Sequence, residues 1–132
     1  MKTDRPLQNA RVLVAEDDAM VAFDLVATLR KAGAEVIGPG ATLKHTLSLV
    51  NTPLLSAAIL DVNLRDEDVF PAALALEGLG VGFVFYTHCA GAGELSRSWP
   101  KVETLSKPAP PKIIIEALSR ACVRTPSVAS LP

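Results

Sequence analysis

Residues 11–18 read Arg-Val-Leu-Val-Ala-Glu-Asp-Asp, in which the unbroken apolar run Val12 to Ala15 stops on three acids. The run shows no alternation, and a continuous apolar stretch bounded by polar signals suits a strand buried on both faces. Past the acids the period changes. Val21, Leu25, Leu29 and Ala32 recur at helical spacing, with Asp17 or Asp18 placed to cap the helix start and Gly33 to end it. Arg30 and Lys31 in the last turn complement the negative end of the helix dipole.

The same unit recurs along the chain. Glu35 to Gly38 reads as a short second strand stopped by Gly38-Pro39-Gly40, and Thr42 caps a second helix with Leu43, Leu47 and Val50 on its inner side. Ala57 to Leu60 is a third strand that delivers Asp61. Asp66 to Asp68 are expected to open a third helix that continues to about Glu77, with Pro71 tolerated in its first turn. Val81 to Tyr86 closes on Thr87, and Val102 to Ser106 closes on Lys107. A last helix starts near Pro110 or Pro111, with Ile114, Leu118 and Ala121 inside and Lys112, Glu116 and Arg120 outside. Between Thr87 and Trp99, the glycine-rich Cys89-Ala90-Gly91-Ala92-Gly93 predicts a loop with a turn or two of helix around Glu94 to Ser98. Trp99 itself reads as packing rather than as a binding anchor. Strand and helix alternating five times imply an α/β fold, a parallel sheet with helices on both faces and right-handed crossovers.

Composition narrows the function classes. A chain of 132 residues is read as one domain, 1–124, with a loose tail at 125–132. Net charge is −1, from 13 basic and 14 acidic residues, and no basic run suggests nucleic-acid binding. No apolar stretch approaches the ~18–20 residues of a transmembrane helix, and the start lacks a signal-peptide core. Cys89 and Cys122 have no metal-ligand spacing and read as reduced thiols of a cytoplasmic protein.

In an open parallel sheet the carboxyl ends of the strands form one rim, where ligands bind. Here that rim carries Glu16 and Asp17, Asp61, Thr87 and Lys107. Three carboxylates, a hydroxyl and an ammonium suit a divalent cation and a phosphoryl group. Taken singly, each has a plain structural role: an acid after a strand caps a helix, and a lysine is solvated. Asp18, Asp66 and Asp68 are assigned only that role, as helix-start acids.

Four motifs in order, Val12-Leu13-Val14-Ala15-Glu16-Asp17-Asp18, Leu60-Asp61-Val62-Asn63-Leu64, Phe85-Tyr86-Thr87 and Ser106-Lys107-Pro108, give the chain a family likeness. From about Arg11 to Cys122 it resembles the receiver domain of bacterial two-component response regulators, in particular the stand-alone type. The resemblance implies a flavodoxin-like doubly wound sheet with strand order 2-1-3-4-5. It implies phosphoryl transfer from a histidine kinase or histidine phosphotransfer protein to Asp61. Mg²⁺ would be bound directly by Asp17 and Asp61, through water by Glu16, and by the backbone carbonyl of Asn63. Lys107 and Thr87 would contact the phosphoryl group, with Thr87 moving inward on its arrival. Such a protein acts by binding other proteins or by draining phosphate, sometimes as a homodimer, and is not a turnover enzyme. A cis Lys107–Pro108 bond is a further feature of the family.

The chain departs from the family pattern where the switch is usually built. The residue after the threonine is usually small; here it is His88, an imidazole placed either to narrow the phosphoryl pocket or to face solvent. Three residues before the lysine the family usually has an aromatic, and here that position is Thr104. Ala109 replaces another frequent aromatic, and the glycine-rich segment replaces a regular fourth helix. These departures define a second reading: a receiver-like interaction module regulated independently of phosphorylation. An aspartyl phosphatase is set aside, because it needs a second acid where this chain has Asn63.

Overall fold

The unbroken apolar run at 12–15 lies inside the sheet, flanked by a strand on either side. A computed structural model of the chain describes residues 5–88 and 93–124. Its elements run β1 (Arg11–Ala15), α1 (Ala19–Lys31), β2 (Glu35–Gly40), α2 (Leu43–Val50), β3 (Ala57–Leu60), α3 (Phe70–Gly78), β4 (Phe83–Thr87), α4 (Gly93–Ser98), β5 (Thr104–Ser106) and α5 (Pro111–Arg124). The five strands pair in parallel in the order β2-β1-β3-β4-β5, the doubly wound, flavodoxin-like arrangement expected.

Alternation along each strand splits the interior into two cores. Val12, Val14, Ala57, Ile59, Val84 and Tyr86 face one side, where Leu25 and Leu29 of α1 and Ile114, Leu118 and Ala121 of α5 cover them. Leu13, Ala15, Ala58, Leu60, Phe83 and Phe85 face the other, under Val50, Ala72, Leu76 and Leu95 of α2, α3 and α4. Both faces of the central strands are therefore dry, which is why their sequence shows no period of two.

The caps are local chemistry. Asp18 accepts from the N–H groups of Met20 and Val21 at 2.9 and 3.1 Å, and Thr42 accepts from that of His45 at 3.1 Å. Gly33 ends α1 at φ +98°, a conformation that side chains with a Cβ avoid.

Three expectations are corrected. The second strand does not stop at Gly38 but continues through Pro39 to Gly40, with a register shift against β1. It is an edge strand, so a missing proline N–H costs no ladder bond on its open side. Residues 66–68 do not begin a helix. Asn63–Leu64 pairs antiparallel with Glu67–Asp68 around a turn in which Arg65 and Asp66 adopt φ +49° and +70°. α3 then starts at Phe70, whose N–H donates to Asp68 Oδ1 at 3.1 Å. Finally, β4 and β5 begin at Phe83 and Thr104 rather than at Val81 and Val102. The carbonyls of Gly82 and Glu103 still join the ladders, accepting from Ala58 at 3.1 Å and Phe85 at 3.0 Å.

Helix α4 is short, as its glycines foretold. Cys89 to Ala92 and the expected tail at 125–132 lie outside the described residues. Trp99, just after α4, packs edge-on to Phe83 and Phe85, each at 5.7 Å between centroids, and lies 6.1 Å from Phe70. Its role in the structure is thus packing. No helix among the described residues is long and apolar enough to cross a membrane.

Candidate functional site

The backbone ladder runs one residue beyond the strands and fixes where the polar side chains start. Ala15 pairs with Leu60, and the Asp61 N–H donates to the Ala15 carbonyl at 2.9 Å. The Glu16 N–H donates to Gly40 at 2.9 Å, so the extended second strand helps to hold the first acid. At the other side Thr87 pairs with Ser106, and the Lys107 N–H donates to the Thr87 carbonyl at 2.9 Å. Glu16, Asp61, Thr87 and Lys107 therefore converge on one rim. The Lys107–Pro108 peptide is cis, as is Gly38–Pro39.

Lys107 reaches across the rim. Its ammonium lies 2.6 Å from Glu16 Oε1 and donates to Asp61 Oδ2 at 2.9 Å. Glu16 Oε2 accepts from the Asp18 N–H at 3.1 Å, whereas the buried Oε1 faces the ammonium. Burial pushes the Glu16 carboxyl up to about 7, helped by the neighbouring Asp61 charge and opposed by the Lys107 ammonium and the Asp18 N–H. Burial alone would lower the Lys107 pKa, but its bonds to Glu16 and Asp61 prevail and hold it above the ordinary lysine value.

Asp17 and Asn63 complete the acidic side. Asp17 is half-buried and its Oδ2 accepts from the Arg65 N–H at 2.9 Å. The Asn63 N–H points to Asp61 Oδ1 at 3.3 Å, and its side chain is exposed. Carboxylate oxygens of Glu16, Asp17 and Asp61 lie within 4.8 Å of one another. Oxygen-only donors so grouped fit a hard divalent cation.

The remaining sequence-derived residues fall at the margins. Thr87 is buried at the end of β4, and His88 beyond it is exposed. Thr104 is half-buried and pairs with Phe85. On the Phe85 side of the sheet, aromatic bulk comes instead from Trp99. Cys122 is half-buried, and burial pushes its thiol up, away from reactivity. Sequence reasoning missed three participants: the Arg65 amide, the Gly40 carbonyl and Tyr86, whose hydroxyl accepts from the Ala109 N–H at 3.1 Å. The two backbone groups leave no sequence signal. A tyrosine in an otherwise apolar strand, directly before Thr87, does.

No family model matches the chain. A stretch of 63 residues, 48% of the chain, is 33% identical to the transcriptional regulatory protein PdtaR of Mycobacterium tuberculosis, and the match spans only 31% of that curated relative. Among solved structures, a sensor protein from Polaromonas sp. JS666 is 29% identical, with a TM-score of 0.77 over 89% of this chain and 98% of that one. The non-phosphorylated HemR receiver domain from Leptospira biflexa is 25% identical, with a TM-score of 0.77 over 90% and 98%. In its fold the chain is similar to response-regulator receiver domains.

Proposed function

We propose that Asp61 accepts a phosphoryl group from a phosphohistidine on a histidine kinase or phosphotransfer protein. The observation that carries this reading is the Lys107 ammonium held 2.9 Å from Asp61 Oδ2, beside the acids of β1. An Asp61 carboxylate oxygen attacks phosphorus, the phosphorus–nitrogen bond breaks, and the imidazole nitrogen leaves with the electron pair and takes up a proton. Asp61 presents its oxygens at the rim because its backbone is locked to Ala15. Lys107 neutralises charge as the phosphoryl group arrives, exchanging part of its contact with Asp61 for the new oxygens. Thr87 stands at the adjacent strand end to donate its hydroxyl to the same group.

A carboxylate attacking a dianion is electrostatically uphill, and Mg²⁺ held by Glu16, Asp17, Asp61 and the Asn63 carbonyl would offset that repulsion. The consequence of phosphorylation is read through binding of another protein or through drainage of phosphate from a shared kinase, not through turnover of a substrate. The test is chemical. Borohydride converts an aspartyl phosphate to homoserine, and peptide mapping of protein phosphorylated by a small phosphodonor should find homoserine at position 61. Homoserine elsewhere, or none in a protein that has gained a phosphoryl group, contradicts the assignment.

A further inference from the structure

Residues 107–111 read Lys-Pro-Ala-Pro-Pro, so between Lys107 and Lys112 only Ala109 carries a backbone N–H. That single donor goes to the Tyr86 hydroxyl, 3.1 Å away. Tyr86 is buried in β4, and its ring centre lies 5.5 Å from the Lys107 ammonium, inside the range of a cation–π contact. The next residue of the same strand, Thr87, accepts from the Lys107 N–H at 2.9 Å. Two consecutive residues of β4 thus grip the chain on both sides of Pro108: one by its main chain before the proline, the other by its side chain after it. Every other route for anchoring this turn by its own N–H groups is closed by the prolines.

We propose that Tyr86 is a positioning residue for Lys107. Its hydroxyl holds the Pro108–Pro111 turn through Ala109, and its ring supports the ammonium, so that Lys107 reaches Glu16 and Asp61 rather than solvent. A tyrosine suits the task because a rigid ring on two torsions carries the hydroxyl across the core edge at little entropic cost. Removing the acceptor strands the only N–H of the turn, which then relaxes toward water and draws the lysine stem with it. The effect on phosphoryl uptake rests on the function proposed above; the effect on Lys107 does not.

Tyr86→Phe deletes the acceptor and keeps the ring, so ring-current effects at Lys107 change only if the lysine moves. In the full chain, the ¹³Cε resonance of Lys107 should shift on this substitution. With Mg²⁺ and acetyl phosphate, the rate of uptake at saturating donor should fall about fivefold, the equivalent of one neutral hydrogen bond, with the half-saturating donor concentration unchanged. A Lys107 resonance that stays in place overturns the inference, even if thermal stability drops, because a merely structural role predicts that pattern. A moved resonance with an unchanged uptake rate overturns it too. If wild-type protein takes up no phosphoryl group, the proposed function falls, and the Lys107 resonance alone decides whether Tyr86 positions it.

Discussion

The Lys107 ammonium lies 2.6 Å from Glu16 Oε1, and the two side chains are only 4% and 1% exposed. Residues far apart in sequence meet as a buried ion pair because the sheet order sets β1 and β5 around β3 and β4. The pair sits at the edge of a carboxylate cluster and shares its cation with Asp61. Its energetics give the first predictions.

Glu16 makes metal-free stability fall as pH rises. Its carboxyl is held up to about 7 in the folded state by burial, against an ordinary value of 4.5. Between those values the folded protein holds the proton and the unfolded chain has lost it, so rising pH favours unfolding through that window and has no further effect above it. The loss is on the order of 3 kcal/mol. Urea unfolding of wild type and Glu16→Gln from pH 4.5 to 8 should show a downward slope in wild type that the variant lacks. Parallel profiles would contradict it.

Removing the lysine should be costly and partly reversible by metal. Lys107→Met leaves Glu16 and Asp61 buried or half-enclosed without their cation, a loss of about 3 kcal/mol for a broken buried pair. A divalent cation can replace that charge, so Mg²⁺ should raise the melting temperature of the variant by more than that of wild type. Equal shifts in a calorimeter would separate the ammonium from the acidic cluster.

Two glycines give opposite answers to the same substitution. A Cβ on Gly82 would collide with the Ala121 carbonyl oxygen in α5, a backbone atom that cannot swing aside. Gly82→Ala is expected to cost about 3 kcal/mol, the upper end of overpacking. Gly78, at the end of α3, has nothing within 4 Å of a built Cβ, and Gly78→Ala should stabilise by about 0.5 kcal/mol. Denaturant titrations of the two variants should move in opposite directions.

Trp99 binds the turn after α4 to the sheet through Phe83 and Phe85 and to α3 through Phe70. Trp99→Leu should cost about 2 kcal/mol, because a half-buried indole leaves part of its volume unfilled. Amide exchange within α4 should quicken more than exchange in β1 or β3. A uniform change would mean that Trp99 stabilises the whole domain rather than this edge.

The parts legible in the sequence were those with a period or a boundary. The run at 11–15, the helical spacing of Val21, Leu25 and Leu29, and the polar residue closing each strand sufficed for the sheet, its helices and the four rim residues Glu16, Asp61, Thr87 and Lys107. The illegible parts depend on backbone conformation and on distant partners. Nothing in Asn63 to Asp68 announces that Arg65 and Asp66 take left-handed φ and form a ribbon instead of a helix start. Pro39 looks like a stop until the strand is known to be an edge. The grip of Tyr86 on Ala109 needs β4 and the turn before α5 in place before it has a partner. Trp99 declared itself as packing, but not that it would stand on the side of the sheet where Thr104 lacks an aromatic.

The most direct test of the central claim is the intact mass of wild type and Asp61→Asn after incubation with Mg²⁺ and acetyl phosphate. The account predicts the gain of one phosphoryl group in wild type and none in the variant. An equal gain in both would place the acceptor elsewhere. No gain in a wild-type protein shown to bind Mg²⁺, with none from a histidine kinase either, would contradict the account and favour an interaction module that works without phosphorylation.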